Sequence, residues 1–381
     1  MGDRAVIEQV RSAAGRTGGA LGAATAATAG AAAATGADAA DRDRRLAPAT
    51  VTALTAAGFP RHFVPARWGG TQGGFAELLT ATATVAEGCA SAAWCAMLWA
   101  AHGRFAAFLP PDGQGELWGD SPDIRVAAAV LPPAGQAVPD RDGWLLHGRW
   151  SFASGVEHAE WILLAAPDAA APDRGARVFA LPRDAVRIED TWDSTGLRGT
   201  GSHAVVLPET RVPAHRSFAF ADLLRGDPAA PARCHAVPAH LPGGLLFAAP
   251  ALGAASRALA AWTERAAPGL LDGSAAAREA LARSGAEIDA VALLLRAAAE
   301  RADTGPVVAA AVARNRRDAA VAVDLLTGAV ERLLRTSGTG VLAAPGELQR
   351  CWRDIHVIAS HGALRLEPAA ADHARSLAHR A

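Results

Sequence analysis

The pattern of apolar and polar positions divides the chain into helices, then strands, then helices again. From Asp41 onward, Leu46, Val51, Leu54 and Ala57 recur at three to five residue spacing, and Gly58 supplies a stop, which predicts an amphipathic helix. Two apolar helices are predicted over 75–87 and 91–109. The second carries Trp94, Met97, Leu98, Trp99, His102, Phe105 and Phe108, is apolar nearly all round, and so belongs inside a bundle with His102 as its polar exception. Strand patterns run from Ile124 to about Leu207, broken by turn signals at Pro132-Pro133, Asp140 to Gly143, Pro167-Asp168 and Pro172-Asp173, and such short strands suggest a small barrel or sandwich. A Pro- and Ala-rich connection at 224–242 leads to helical patterns at 244–266, 275–303, 306–336 and 346–378. The order predicts an α+β fold in three parts: an N-terminal helical domain (1–118), a β-domain (119–222) and a C-terminal helical domain (223–381). Residues 1–40, including the Ala/Gly/Thr tract from Gly18 to Gly36, are expected to form a loose helix or a disordered arm.

Composition narrows the classes of function. With 381 residues and 51% hydrophobic content the chain has material for a large core. The 37 basic and 38 acidic residues leave a net charge of −1 without long one-sign runs, so no footprint for nucleic acid or an anionic membrane is present. Every basic residue is Arg and Tyr is absent, which removes a Schiff-base lysine and a tyrosine acid. Cys89, Cys95, Cys234 and Cys351 are scattered, with no CxxC pair and no zinc-finger spacing, and imply a reduced cytoplasm and no metal. The N-terminus lacks a compact apolar leader, and the 18–36 tract gains too little from hydrocarbon to span a bilayer.

The candidate chemistry centres on Gly148-Arg149-Trp150-Ser151-Phe152-Ala153-Ser154-Gly155. Trp144, Leu146, Trp150 and Phe152 alternate on one side, and Ser154-Gly155 lets the backbone bend before Trp161-Ile162-Leu163-Leu164 resumes an apolar run. Trp150 and Phe152 offer faces for a planar heteroaromatic ring, and the small-residue turn leaves backbone N–H groups beside it. On pattern alone an ordinary β-hairpin is the commoner origin.

Around this stretch stand Ala127 to Ala137, then Trp192-Asp193-Ser194-Thr195-Gly196-Leu197-Arg198-Gly199-Thr200-Gly201-Ser202, Leu207 to Pro213, Leu348 to His356 and Ser360-His361-Gly362. In this order and at these separations, over roughly residues 43–370, the set resembles the acyl-CoA dehydrogenase superfamily. Within it, the chain is similar to the two-component, reduced-flavin-dependent monooxygenases that hydroxylate aromatic compounds. The resemblance implies an acyl-CoA dehydrogenase-like fold ending in a four-helix bundle, a homodimer or homotetramer, and a phenol or aromatic polyketide as substrate. It also implies reduced FMN or FAD from a separate reductase, since no Rossmann fingerprint occurs in the chain.

By the same resemblance, His361 matches a histidine that the hydroxylases carry on their last helix near the reactive edge of the flavin, and His102 a substrate-side histidine. Each is suited to proton transfer. Phe152 matches a ring-stacking residue and Ser154 one near the flavin ring, whereas Ala153 stands where many relatives carry Ser or Thr. Gly196, Arg198, Thr200 and Ser202 would meet the ribityl or phosphate. Arg350 and Arg353 are expected to pair with acidic residues of the bundle. The carboxylate base of many acyl-CoA dehydrogenases falls here on Gly362, leaving Glu331, Glu347 or Glu367 as substitutes, and the arginine of the family's Arg-x-x-Phe-Gly motif is missing after Arg265. An acyl-CoA dehydrogenase or oxidase, an amine N-oxygenase and a flavin-free descendant therefore stay open as alternatives.

Overall fold

The Ala/Gly-rich tract folds into α1 (Ala23–Asp43), in a computed structural model that describes residues 21–170, 175–266, 274–343 and 346–378. This corrects the expected loose arm over its described part; residues 1–20, and the turn at Pro172-Asp173, lie outside the described residues. Ala26, Ala29, Gly30, Ala33, Ala37 and Ala40 are buried, and small side chains are what allow the approach. A Cβ on Gly88 of α3 (Phe75–Gly88) would stand 2.2 Å from the Gly30 carbonyl oxygen. Between them, α2 (Pro48–Ala56) starts with Pro at its first position, where the missing N–H costs no hydrogen bond.

Helix α4 (Ala90–Ala106) is buried along nearly its whole length, and α5 (Pro111–Trp118) follows. The strands β1 (Val126–Ala129), β2 (Gln136–Asp140), β3 (Gly143–Ala153), β4 (Trp161–Pro167), β5 (Ala176–Pro182), β6 (Arg187–Glu189), β7 (His203–Pro213) and β8 (Ser217–Ala219) form two four-stranded sheets. Their orders are β1-β4-β5-β8 and β2-β3-β7-β6, antiparallel except for the β1–β4 pair. Leu146, Trp150, Ile162, Phe179 and Val205 fill the space between them.

Past the strands come α6 (Phe220–Arg225), α7 (Arg233–Ala236), α8 (Gly243–Ala266), α9 (Ala275–Thr304), α10 (Ala309–Arg335), α11 (Gly340–Ala343), α12 (Glu347–Ala359) and α13 (Leu366–Ala378). The single long helix expected over 346–378 is thus two helices with a break at 360–365. Helices before and after the β-domain share one hydrophobic core, in which Phe75, Val85 and Trp99 pack with Leu245, Val291 and Leu326. Asp303 of α9 ties the two halves together, accepting from Phe75 N (2.7 Å) and Ala76 N (3.0 Å) at the positive end of α3. Among the described residues one helix, α8, is long and apolar enough to cross a membrane, but it is mostly buried against α3, α10 and α12.

Candidate active site

Residual exposure on α4 is confined to one stripe. Trp94, Leu98, Ala101 and His102 retain 6–7% exposure and Phe105 is half-buried, while Cys95, Ala96, Met97, Trp99 and Ala100 are at 0%. Trp94, Leu98, Ala101, His102 and Phe105 are spaced i, i+4, i+7, i+8 and i+11, so they form one face, and this partly accessible face together with the groups opposite it defines the candidate cleft. Opposite it, Phe247 of α8 stacks on His361 (ring centroids 3.9 Å apart), and Trp94 meets both rings edge-on or tilted, at 5.6 Å from His361 and 5.3 Å from Phe247.

His361 does not sit on a helix. It lies in the break between α12 and α13, with extended backbone and its Nδ1 accepting from Ala363 N at 3.2 Å. An acceptor Nδ1 leaves the ring hydrogen on Nε2. His102 is held the other way: Nδ1 bonds the Val126 carbonyl of β1 at 2.9 Å, so Nδ1 carries the hydrogen and Nε2 the lone pair. Among the described residues no group meets Nε2 of either ring, and neither atom is sealed from solvent. Burial pushes both imidazoles down to about 4, so both are neutral near pH 7. One neutral histidine thus presents an N–H beside Trp94, and the other presents a lone pair about two turns further along the same stripe of α4.

The β-domain side of the site differs from the sequence expectation in three respects. Trp150 points into the β-core, 1% exposed, with Nε1 bonded to Ala165 O at 2.8 Å, and so has no face for a ligand. The β3–β7 register shifts between Trp150 and Ala153, and this bulge turns Phe152 out: it has φ 65°, is 67% exposed, and meets Trp192 edge-on at 6.4 Å. A positive φ on a bulky residue costs about 1–3 kcal/mol, which the surrounding sheet must offset. The turn's N–H groups are also occupied, Ser154 N by Phe152 O (3.0 Å) and Gly155 N by Thr200 O (2.8 Å).

The turn contributes hydroxyls instead. Thr200 Oγ1 donates to Leu197 O (2.9 Å) and so accepts from Ser202 Oγ (2.7 Å), which in turn accepts from Ser154 Oγ (2.7 Å), while Trp94 Nε1 donates to Ser154 Oγ at 3.3 Å. With its own hydrogen committed, Ser154 faces the site as an acceptor only. Ala153, fully enclosed in the β-core, directs its side chain away from the site, so a hydroxyl at that position would lie inside the sheet sandwich.

Gly196 and Arg198 hold this turn in place rather than standing open. A Cβ on Gly196 would lie 2.3 Å from Arg353 O, and Arg198 donates to Asp41 O (2.8 Å) and Ser194 O (3.0 Å). Arg353 donates to the Asp41 carboxylate at 2.8 and 3.0 Å, and Arg350 pairs with Asp38. Their acidic partners thus lie on α1, not in the bundle. The buried carboxylate of Asp354 accepts from Leu197 N at 2.6 Å; burial pushes its pKa up to about 6, with that hydrogen bond opposing. The Gly-rich turn is clamped between the first helix and α12, a contact that no single motif announces.

A dehydrogenase base is absent from the cleft among the described residues. Glu331 accepts from Trp352 Nε1 (2.7 Å) and Arg335 (2.9 Å), Glu347 from Arg257 (2.6 Å), and Glu367 is 90% exposed. Gly362 borders open space. A separate cavity of about 560 Å³, lined in part by Arg67, Gln114, Arg225 and His235, touches neither cleft histidine. No group of three or more potential metal ligands occurs among the described residues. The residues present fit a flavin: an outward phenyl face, an acceptor hydroxyl beside it, and a stripe of apolar and imidazole groups across the cleft.

Comparison with known proteins agrees with this geometry. Residues 245–366 match the acyl-CoA dehydrogenase C-terminal domain family. The chain is 30% identical over 343 residues to the flavin-dependent monooxygenase oxygenase subunit HsaA of Mycobacterium tuberculosis, covering 84% of this chain and 86% of that protein. It is 29% identical over 364 residues to the oxygenase component of an FADH2-dependent resorcinol hydroxylase from Rhizobium sp., covering 84% of each. The structure of XiaF from Streptomyces sp., solved with FADH2 and glycerol, superposes with a TM-score of 0.82 at 29% identity, over 92% of this chain and 93% of that one. The chain belongs to the family of two-component flavin-dependent monooxygenase oxygenase subunits, built on the acyl-CoA dehydrogenase fold.

Proposed function

We propose that this chain is the oxygenase component of a two-component monooxygenase that hydroxylates a phenolic ring, drawing reduced FMN or FAD from a separate reductase. The observation that carries this reading is the pair of neutral imidazoles held in opposite tautomers with free Nε2 atoms. Phe152 and Ser154 would hold the ring of the flavin, with Ser202 and Thr200 fixing the direction of the Ser154 hydroxyl, and the flavin would supply electrons and activate O2 when bound. An acceptor-only Ser154 suits a ring N–H, present in reduced flavin at N5 and missing in the oxidised form. His102 Nε2 accepts a hydrogen bond from the phenolic hydroxyl, raising electron density on the ring carbons beside it. His361 Nε2–H would donate a hydrogen bond to the departing oxygen and stabilise the negative charge that develops there. Trp94, Leu98 and Phe247 keep bulk water out. A dimer or tetramer covers Leu366 and Leu377, exposed on α13, and a 38.9 kDa species by light scattering would count against it.

The test is anaerobic titration with reduced and oxidised FMN, followed by mixing with O2. The reduced form is expected to bind tighter, and O2 to give a protein-dependent transient absorbance before oxidised flavin appears. In the same titration Ser202→Ala, which frees the Ser154 hydroxyl to donate, is expected to narrow the preference for the reduced form by roughly tenfold, one hydrogen bond's worth. Equal binding of both redox forms by the unaltered protein, with no transient, would remove the proposal.

A further inference from the structure

The walls of the cleft carry no formal charge. From Ala90 to Gly103 on α4, along β1, from Gly243 to Ser256 on α8, and through residues 360–364, there is no Asp, Glu, Lys or Arg. Of the charged groups at the edges of these segments, Arg365 is exposed to solvent 3.8 Å from Glu367, and the others make the following contacts. Arg104, the one charged residue of α4, turns away from the stripe, donates to Cys234 O and Val237 O, and lies over the Phe75 ring at 5.8 Å. Arg125 pairs with Glu160, Arg257 with Glu347 at 2.6 Å, and Glu157 with Arg45 at 3.3 Å.

We infer that the cleft selects an uncharged phenol, a fused or alkyl-substituted ring system with no carboxylate, phosphate, sulfate or ammonium group. A buried ion without a partner carries a desolvation penalty that no cleft residue offsets. The aromatic and aliphatic lining rewards flat apolar area instead. The two histidines report the same environment, since their protonation is opposed by burial and no neighbouring charge perturbs either one. The inference rests on the oxygenase reading for the phenol but on the cleft itself for the charge rule.

Equilibrium binding to the full chain at pH 7 tests it with 2-naphthol, methyl 6-hydroxy-2-naphthoate and 6-hydroxy-2-naphthoate. The ester matches the acid in size and differs in charge. The two neutral compounds are expected to bind at least about 100-fold tighter than the acid. Binding of the acid as tightly as the ester, or no binding by any of the three, overturns the inference. Turnover with reduced flavin and O2 separates the two proposals: selective binding without oxygenation removes the oxygenase reading and leaves the charge rule standing. Oxygenation of the acid as fast as the ester does the opposite.

Discussion

Replacing His361 with alanine is expected to lower kcat by roughly 10²–10³, the usual worth of one positioned hydrogen-bond donor at a site of developing charge, while reduced flavin still binds. The ring has three constraints: the stack on Phe247 at 3.9 Å, the edge contact with Trp94, and the Ala363 N–H on Nδ1. These fix the direction of the Nε2 hydrogen, so alanine removes a donor without disturbing a charge. Electrons from flavin should then be lost to peroxide, read as flavin oxidised in excess of product formed. His361→Asn, which keeps an N–H of shorter reach, should recover part of the coupling. The pH profile gives a second readout. A histidine whose folded-state pKa is depressed to about 4 stays neutral until the pH falls well below 6.5. The acid limb of kcat should therefore lie near pH 4–5, and a limb at 6.5 would point to an exposed imidazole instead. Unchanged kcat and coupling in the alanine variant would remove His361 from the chemistry.

Much of this site is legible in the sequence, and what is not legible has identifiable physical causes. The alternation of helices and strands, and the buried character of α4, follow from hydrophobic periodicity, which is strong over long elements. Phe152 escapes that reading because a bulge adds one residue to a strand and inverts everything after it, a change that period-two alternation does not register. Trp150 lies one step before the inversion and stays inside. The break at 360–365 does leave signals. Pro368 falls in the first turn of α13, where it is tolerated, but in an unbroken helix its ring would strike the carbonyl of Leu364. Gly362 marks the same place. The order of α1 is hidden because alanine and glycine differ too little from their polar neighbours to mark out an apolar face, yet they permit the close backbone approach to Gly88. The direction of the hydroxyl chain and the opposite tautomers of His102 and His361 are set by partners such as Leu197 O and Val126 O. Only the assembled fold brings those carbonyls together.

Gly253→Ala is expected to be the most damaging single-methyl change in the helical core. Gly253 lies inside α8 where that helix crosses α3, and a Cβ there would stand 2.0 Å from Ala83 O and 2.6 Å from the Ala86 Cβ. Both obstacles are rigid helix atoms rather than the end of a flexible side chain, so the helices must separate. Overpacking of this kind costs about 1–3 kcal/mol, and the top of that range applies where backbone must move, against a helix-propensity gain from Gly to Ala of only about 1 kcal/mol. The displacement would reach the site, because α3 leads directly into α4 with Trp94, and Phe247 sits earlier on α8. Thermal unfolding should shift down by several degrees, and substrate binding should weaken with it. Gly328→Ala provides the control: in α10 its Cβ would meet no atom within 4 Å, so the propensity gain is unopposed and the midpoint should hold or rise. If both variants melt alike, the close approach of α3 and α8 is wrong, and with it the placement of Phe247 opposite the histidine-bearing stripe.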